Sequence, residues 1–145
     1  MEDQVSTRAT RLPSPFKATT AELKNLLEPV RLHISYPPSI NALWRSVAGR
    51  SILSKTYRGW LKAAGMEVMI QRQRPIKGRV GIHVLLKAPD NRRRDLDNVG
   101  FKAIIDLLVK HGLIEGDDSR YVRALHAEWV TEGHPCTVII KPAVF

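Results

Sequence analysis

Asp95 and Asp97, in the segment DNRRRDLDN at residues 90–98, are the side chains whose type and spacing could do chemistry. In extended chain, residues two apart place their side chains on the same side. Two carboxylates directed at one point repel each other unless a cation lies between them. Hard oxygen ligands with few protein contacts suit Mg²⁺, which keeps waters and also binds phosphate. The spacing therefore predicts a magnesium site in this segment.

A second acidic pair, Asp117-Asp118, follows the next predicted helix. We expect the strand after it, residues 120–130, to pair beside the strand at 79–88, which would bring Asp118 toward the first pair. Lys102 lies in the first turn of the helix between the two pairs. Three carboxylates and a lysine can hold a metal ion, activate water and offset charge on a phosphoryl transition state. We therefore assign metal binding to the three aspartates and charge compensation to Lys102.

Each of these residues also has a plain structural interpretation. Asp97 is a suitable N-cap for a helix beginning near residue 98. Asp117 and Asp118 begin an ordinary polar turn with Ser119. Lys102 and Asp106 are four residues apart on the helix and could form a surface ion pair.

Two other metal sites are considered from the sequence. An EF-hand loop would use Asp95, Asp97, Gly100 and Asp106, but the helical periodicity after residue 98 argues against it. A zinc site would use three residues near the C-terminal end of the chain, but no fourth ligand has the spacing of a zinc motif. These three residues are His126, His134 and Cys136.

The balance of charge indicates a polyanionic partner. The chain has 23 Lys and Arg against 14 Asp and Glu, a formal net charge of +9. Such a field favours nucleic acid, acidic membranes or acidic proteins, although a basic patch alone can be a solvated surface. Many of the cations cluster in one stretch, namely Arg72, Arg74, Lys77, Arg79, Lys87, Arg92, Arg93, Arg94 and Lys102. Carboxylates embedded among them favour nucleic acid together with a metal ion.

The rest of the composition sets the class of protein. A single cysteine, Cys136, excludes an intramolecular disulfide and suits a reducing compartment. No run of eighteen apolar residues is present, and the acidic N-terminus lacks the apolar region of a secretory signal. Residues 1–30 are rich in Ser, Thr and Pro and are predicted to be a mobile tail, with a short helix capped by Thr19 or Thr20. Residues 31–145 form the predicted globular domain.

Hydrophobic spacing predicts an α+β fold in the order β-α-β-α-β-β, with one mixed sheet packed by two main helices. A helix capped by Ser54 is expected to end before Pro75, and a second helix before Gly112. The stretch SINALWR, residues 39–45, is predicted to be a loop. The predicted strands are 31–36, 79–88, 120–130 and 136–145, and the second helix is 99–112.

Several motifs resemble the RusA family of Holliday junction resolvases, small endodeoxyribonucleases often associated with phages. The resemblance lies in RRRDLDN, in the helix with Lys and Asp four residues apart, and in GLIEGDDSRYV. The stretches YPPSINALWR and ILSKTYRGW also resemble the family's Pro-Pro-Ser-x-Asn segment and the start of its first helix. The resemblance covers about residues 31–140.

The resemblance implies a homodimeric nuclease, dependent on Mg²⁺ with Mn²⁺ as a substitute, that cuts branched DNA. The family's catalytic aspartates fall on Asp95, Asp97 and Asp118, and its lysine falls on Lys102. The interval from Asp97 to Lys102 is one residue longer than usual in the family, and Gly116 is also additional. We expect the first extra residue to lie in the loop before the helix, which keeps Lys102 in register with it.

The sequence therefore predicts an endonuclease that resolves Holliday junctions or related branches by paired nicks, in DNA recombination or repair. Two symmetric cuts from one site per chain require a C2 dimer. We expect a cytoplasmic protein, encoded by a bacterium or a phage. A non-catalytic protein that binds branched DNA is the alternative. The predicted DNA-binding residues are Arg92, Arg93, Arg94, Arg72, Arg74, Lys77, Asn41 and Arg45.

Overall fold

A computed structural model describes residues 19–20 and 27–143. In this part of the chain there are six strands and two α-helices, which confirms the α+β class. The predicted tail and its short helix lie almost entirely outside the described residues. The strands are β1 (Val30–Ile34), β2 (Trp44–Val47), β3 (Arg50–Leu53), β4 (Val80–Lys87), β5 (Val122–Val130) and β6 (Cys136–Pro142), and the helices are α1 (Lys55–Gln71) and α2 (Phe101–Lys110).

Four strands form one mixed sheet, as predicted, and their order in the sheet is β1-β6-β4-β5. β6 pairs antiparallel with both β1 and β4, whereas β4 and β5 are parallel and joined through α2. A parallel pair needs such a crossover because the chain must return to the same end of the sheet.

The core lies between this sheet and the two helices. Val80, Ile82, Val84 and Leu86 alternate with less buried residues along β4, which is the pattern expected of a sheet with one covered face. Ile104 is fully buried in the same cluster, where it packs with residues of α1 and β4. Each fully buried side chain of this size stabilises the fold by about 1.5–3 kcal/mol.

α1 begins where the sequence predicted. The hydroxyl of Ser54 accepts a hydrogen bond of 2.9 Å from the backbone N–H of Tyr57, which satisfies one free amide at the helix start. The helix ends at Gln71. The side chain of Gln71 accepts a 2.8 Å hydrogen bond from the His33 N–H and donates a 2.6 Å hydrogen bond to the His33 carbonyl. α1 thereby closes the free edge of β1, which would otherwise expose unpaired backbone groups.

The strands β2 and β3 form a hairpin that the sequence analysis did not predict, and only its first two residues lie in the predicted loop SINALWR. Ala48 and Gly49 have φ angles of 53° and 77°, as in the tight turns that match the twist of paired strands. Alanine is an uncommon residue at such a position, and the strands show no buried face. The usual sequence signals of a hairpin are therefore missing.

α2 starts later than the predicted helix. Its N-cap is Gly100, whose N–H donates a 2.9 Å bond to the Pro38 carbonyl, and Val99 forms a β-bridge with Ser39. These contacts hold Val99 in an extended conformation and make Gly100 the residue before the helix, so Asp97 is not the N-cap. Gly112 has a φ of 71° just after the helix, as predicted for the terminating glycine.

The two ends of β4 carry different parts of the molecule. At its carboxyl end, the loop 88–100 meets the segment 36–39. At its amino end, the segment 72–79 meets residues 113–121, through bonds such as that from the Ile76 N–H to the Leu113 carbonyl. An eight-residue strand separates these ends by roughly 23 Å.

Candidate functional site

Asp95 and Asp97 lie in the loop at the carboxyl end of β4, and both are exposed. Asp95 has extended backbone, with φ −93° and ψ 132°, but residues Leu96–Asn98 form a 3₁₀ turn. The spacing of Asp95 and Asp97 is therefore not that of a strand, in contrast to the prediction. The turn keeps both carboxylates on the surface while Leu96 packs toward the core.

Within the described residues, neither Asp95 nor Asp97 has a side-chain hydrogen bond or ion pair. Asp90, in contrast, accepts a 2.7 Å hydrogen bond from Arg94 and further bonds from Arg92. The bond from Arg94, followed by those from Arg92, holds the pKa of Asp90 well below its ordinary value. Asp90 thus orders the arginine run, and the two later carboxylates stay available to a cation.

A cleft of 260 Å³ opens beside Asp95. The side chain of Arg94 at the cleft is only 20% exposed and is held by Asp90, so its main role is structural. Arg93 is exposed and has no acidic partner in the described part of the chain. The cleft therefore presents a carboxylate and an available guanidinium next to each other. Its lining residues are Tyr36, Pro37, Ser39, Arg93, Arg94, Asp95, Asn98 and Val99.

Lys102 lies in the first turn of α2, near this loop in sequence. Its ammonium group is 3.4 Å from a carboxylate oxygen of Asp106, and the lysine side chain is 58% exposed. Lys102 and Asp106 therefore form the surface ion pair that the sequence analysis considered as their structural role. Val99 and Gly100 precede the helix, and Lys102 and Asp106 are four residues apart within it. The position of the extra residue in the loop stays a prediction.

Asp118 lies at the amino end of β4, in the turn that leads into β5. Its carboxylate accepts bonds from the Arg120 Nε and Nη2 atoms at 3.1 and 2.8 Å, and from the Arg120 backbone N–H at 2.8 Å. The side-chain bond from Arg120, and next the backbone bond, lower the pKa of Asp118 to about 2. Gly116 packs closely nearby, because a Cβ atom there would lie 2.6 Å from the Tyr121 ring and would force the ring to shift.

The three aspartates do not meet within one protomer. In the part of the chain that the structure describes, they do not form a group of three with ligand atoms within 4.8 Å of one another. β5 pairs beside β4 as expected, but parallel pairing places the start of β5 next to the start of β4. Asp118 therefore lies at the opposite end from Asp95 and Asp97, and the expectation that this pairing joins them in one chain is wrong.

The predicted DNA-binding residues also lie in two groups, one at each end of β4. Asn41 donates a 3.4 Å bond to the Asn98 side chain at the carboxyl end, and the exposed Arg45 follows it in β2. Arg72, Arg74 and Lys77 are exposed at the amino end. Arg74 also donates to the carbonyl of Glu28.

One group of potential ligands was missed by the sequence analysis. Among the described residues, one group has side chains close enough to share a metal ion, because β4 and β5 align them. Its members are His83, His126 and Glu128. Their positions in the sequence show no motif, since the register of two distant strands creates the group. The zinc set that the sequence analysis considered and argued against does not come together: His126 belongs to this other group, Cys136 is buried in β6, and His134 stacks on His33.

Burial also determines the chemistry of Cys136. Its desolvation, with a smaller effect from Glu67, raises the pKa of the thiol to about 12. The thiol is therefore protonated and enclosed at neutral pH, which is the state of a packing residue and not of a metal ligand or nucleophile.

Two comparisons of the sequence with known proteins point to one family. The family described as Endodeoxyribonuclease RusA matches residues 35–141 of the chain. The chain is also similar to the crossover junction endodeoxyribonuclease rusA of Enterobacteria phage HK97, with 34% identity over 87 residues. That alignment covers 59% of this chain and 71% of the phage protein. Among the described residues, no helix has the length and apolarity needed to cross a membrane.

Proposed function

Because the chain belongs to the RusA family of endodeoxyribonucleases, we propose that it resolves Holliday junctions or related branched DNA by paired, metal-dependent nicks. The phage relative is itself named a crossover junction endodeoxyribonuclease. The observation that carries the proposal for this chain is a pair of carboxylates, Asp95 and Asp97, that have no side-chain partner among the described residues. Asp95 lines a cleft together with the exposed Arg93. The alternative of a binding protein without nuclease activity is not retained, because the family is one of enzymes.

The residues of this site fit a hard divalent cation. Asp95 and Asp97 are exposed oxygen donors without protein partners among the described residues, which is the donor set that Mg²⁺ or its substitute Mn²⁺ prefers. When bound, the metal ion would polarise the scissile phosphate and lower the pKa of the attacking water. Asp118 would provide a third carboxylate, which Arg120 holds ionised through its hydrogen bonds.

A homodimer supplies the third carboxylate. Asp118 lies at the far end of β4 within its own chain, so we propose that it acts beside Asp95 and Asp97 of the partner subunit. In a C2 dimer the same contact occurs twice, which gives two equivalent sites. Two sites are also what paired symmetric nicks require.

The cations around the site have separate tasks in this proposal. Arg93 is free to bind a phosphate beside the cleft, whereas Arg94 fixes the loop through Asp90. Lys102 reaches the reacting phosphate only after leaving Asp106, a change that its exposure allows. The basic residues at the amino end of β4 then contact DNA together with the partner's loop. Phosphate contacts of this kind make binding strongly dependent on salt.

Cleavage of a labelled, immobile four-way junction tests this function. We expect paired nicks with Mg²⁺, and none with EDTA. Asp97→Asn should abolish nicking while junction binding is kept or strengthened, because repulsion of phosphate is reduced. Asp117→Asn, a change at an exposed acidic residue outside the proposed site, is the matched control and should cleave normally. Nicking by Asp97→Asn at the wild-type rate would show that the assignment is wrong.

A further inference from the structure

The face of the sheet turned away from the helices carries a second group of polar side chains. His126 and Glu128 are two residues apart on β5, so both point to this face. In the parallel register His83 lies directly opposite His126, and Leu85 lies opposite Glu128. The group is therefore built by regular strand pairing and not by loop conformations.

The three side chains converge closely. The Nε2 atom of His83 is 2.8 Å from Oε1 of Glu128, and the Nε2 atom of His126 is 3.7 Å from the same oxygen. The imidazole rings meet edge to face, with centroids 4.4 Å apart. All the potential ligand atoms lie within 4.8 Å of one another.

We propose that His83, His126 and Glu128 bind a divalent transition-metal ion of the Zn²⁺ class, at a site separate from the catalytic aspartates. Two imidazoles and one carboxylate match the ligands that Zn²⁺, Co²⁺ and Ni²⁺ take from proteins. Mg²⁺ prefers oxygen ligands throughout and is excluded by the same argument. Three protein ligands leave a coordination position open to water.

A simple ion pair does not account for the whole arrangement. The contact between His83 and Glu128 is a good hydrogen bond by itself. The second imidazole, at 3.7 Å, is beyond hydrogen-bond length but within the spread of ligands that share one ion. The side chains of His126 and Glu128 are 66% and 49% exposed, so they can adjust to bonds of about 2.0–2.2 Å without disturbing the core.

The surroundings suit an open site. A depression of 400 Å³ adjoins the two histidines, and the exposed Lys141 of β6 lines it. Water or a small anion can therefore reach the open coordination position from this side. β5 is an edge strand of the sheet, so a bound ion would tie this strand to β4.

Titration with Co²⁺ tests the site, because its visible absorption reports the ligands directly. We expect the full chain to bind one Co²⁺ at this site, to release it to Zn²⁺, and to melt at higher temperature with Zn²⁺ present. His126→Gln and the isosteric Glu128→Gln should each weaken binding at least about tenfold, the smaller loss seen even for outer partners of a metal ligand. Circular dichroism would confirm that both variants are folded.

Two controls separate this site from other ligands. His134→Gln alters a histidine that stacks on His33 away from the group, and should leave the Co²⁺ spectrum unchanged. The Asp95→Asn, Asp97→Asn double variant should also keep it. The proposal is wrong if the wild-type chain shows no Co²⁺ absorption. It is equally wrong if binding is lost in the aspartate variant and kept in His126→Gln.

Discussion

Mixing two inactive variants, Asp97→Asn and Asp118→Asn, tests whether each active site is built from two subunits. In a shared site, the heterodimer places an intact Asp97 beside an intact Asp118 at one of its two sites. The other site then carries both substitutions. In a site confined to one chain, every site of the mixture lacks one carboxylate. The mixture is therefore active only in the first case.

The structure predicts how much activity the mixture of variants should regain. Carboxylate oxygens that share one Mg²⁺ at about 2.1 Å lie within roughly 4 Å of each other. The two ends of β4 are separated by roughly 23 Å, far more than side-chain rotation can bridge. Equal mixing with free exchange makes half of the dimers mixed, and each has one intact site. About one quarter of the wild-type sites should thus be restored.

The assay is cleavage of a four-way junction labelled on each strand in turn. Mixed dimers should nick one strand without the second symmetric nick, so nicked junctions accumulate while resolved duplexes do not. Two affinity tags on the variants confirm that mixed dimers have formed. If tagged mixed dimers are purified and show no more nicking than either variant alone, the shared site is refuted.

Further predictions concern the loops and the titrating groups. Gly100→Ala places a Cβ atom 2.5 Å from a backbone oxygen and should lower both the free energy of unfolding, by on the order of 1–3 kcal/mol, and the nicking rate. Gly59→Ala, where a Cβ meets nothing within 4 Å, is the control and should raise stability by about 0.5–1 kcal/mol in urea unfolding. Arg120→Ala should move the pKa of Asp118 from about 2 up toward 3.8 in an NMR titration, and an unchanged value would contradict the assigned cause. The stability that this carboxylate contributes is present above pH 3.8 and is lost as the pH falls toward 2. Cys136 should resist a thiol reagent until the chain unfolds. Burial raises the pKa of its thiol from 9.0 to about 12, so the stability contributed by the protonated thiol is complete below pH 9 and is lost as the pH rises toward 12.

Local patterns in the chain predicted most of the elements around the site. Apolar residues at every second position mark β4, and Ser54 marks the start of α1 because a short hydroxyl side chain can satisfy a free amide. These signals act over a few residues, so they can be read without the fold. The start of α2 could not be predicted in this way. Contacts of Val99 and Gly100 with the distant segment 36–39 make Gly100 the N-cap instead of Asp97.

The sequence by itself determined the chemical character of the protein: a run of arginines, two aspartates close together, and a helix that follows them. Tertiary structure alone decided which side chains meet. The direction of β5 places Asp118 far from Asp97 in its own chain, and the register of β5 on β4 brings His83 to His126. Covalent spacing controls groups a few residues apart, whereas groups far apart in sequence are positioned by the direction and register of the strands that carry them.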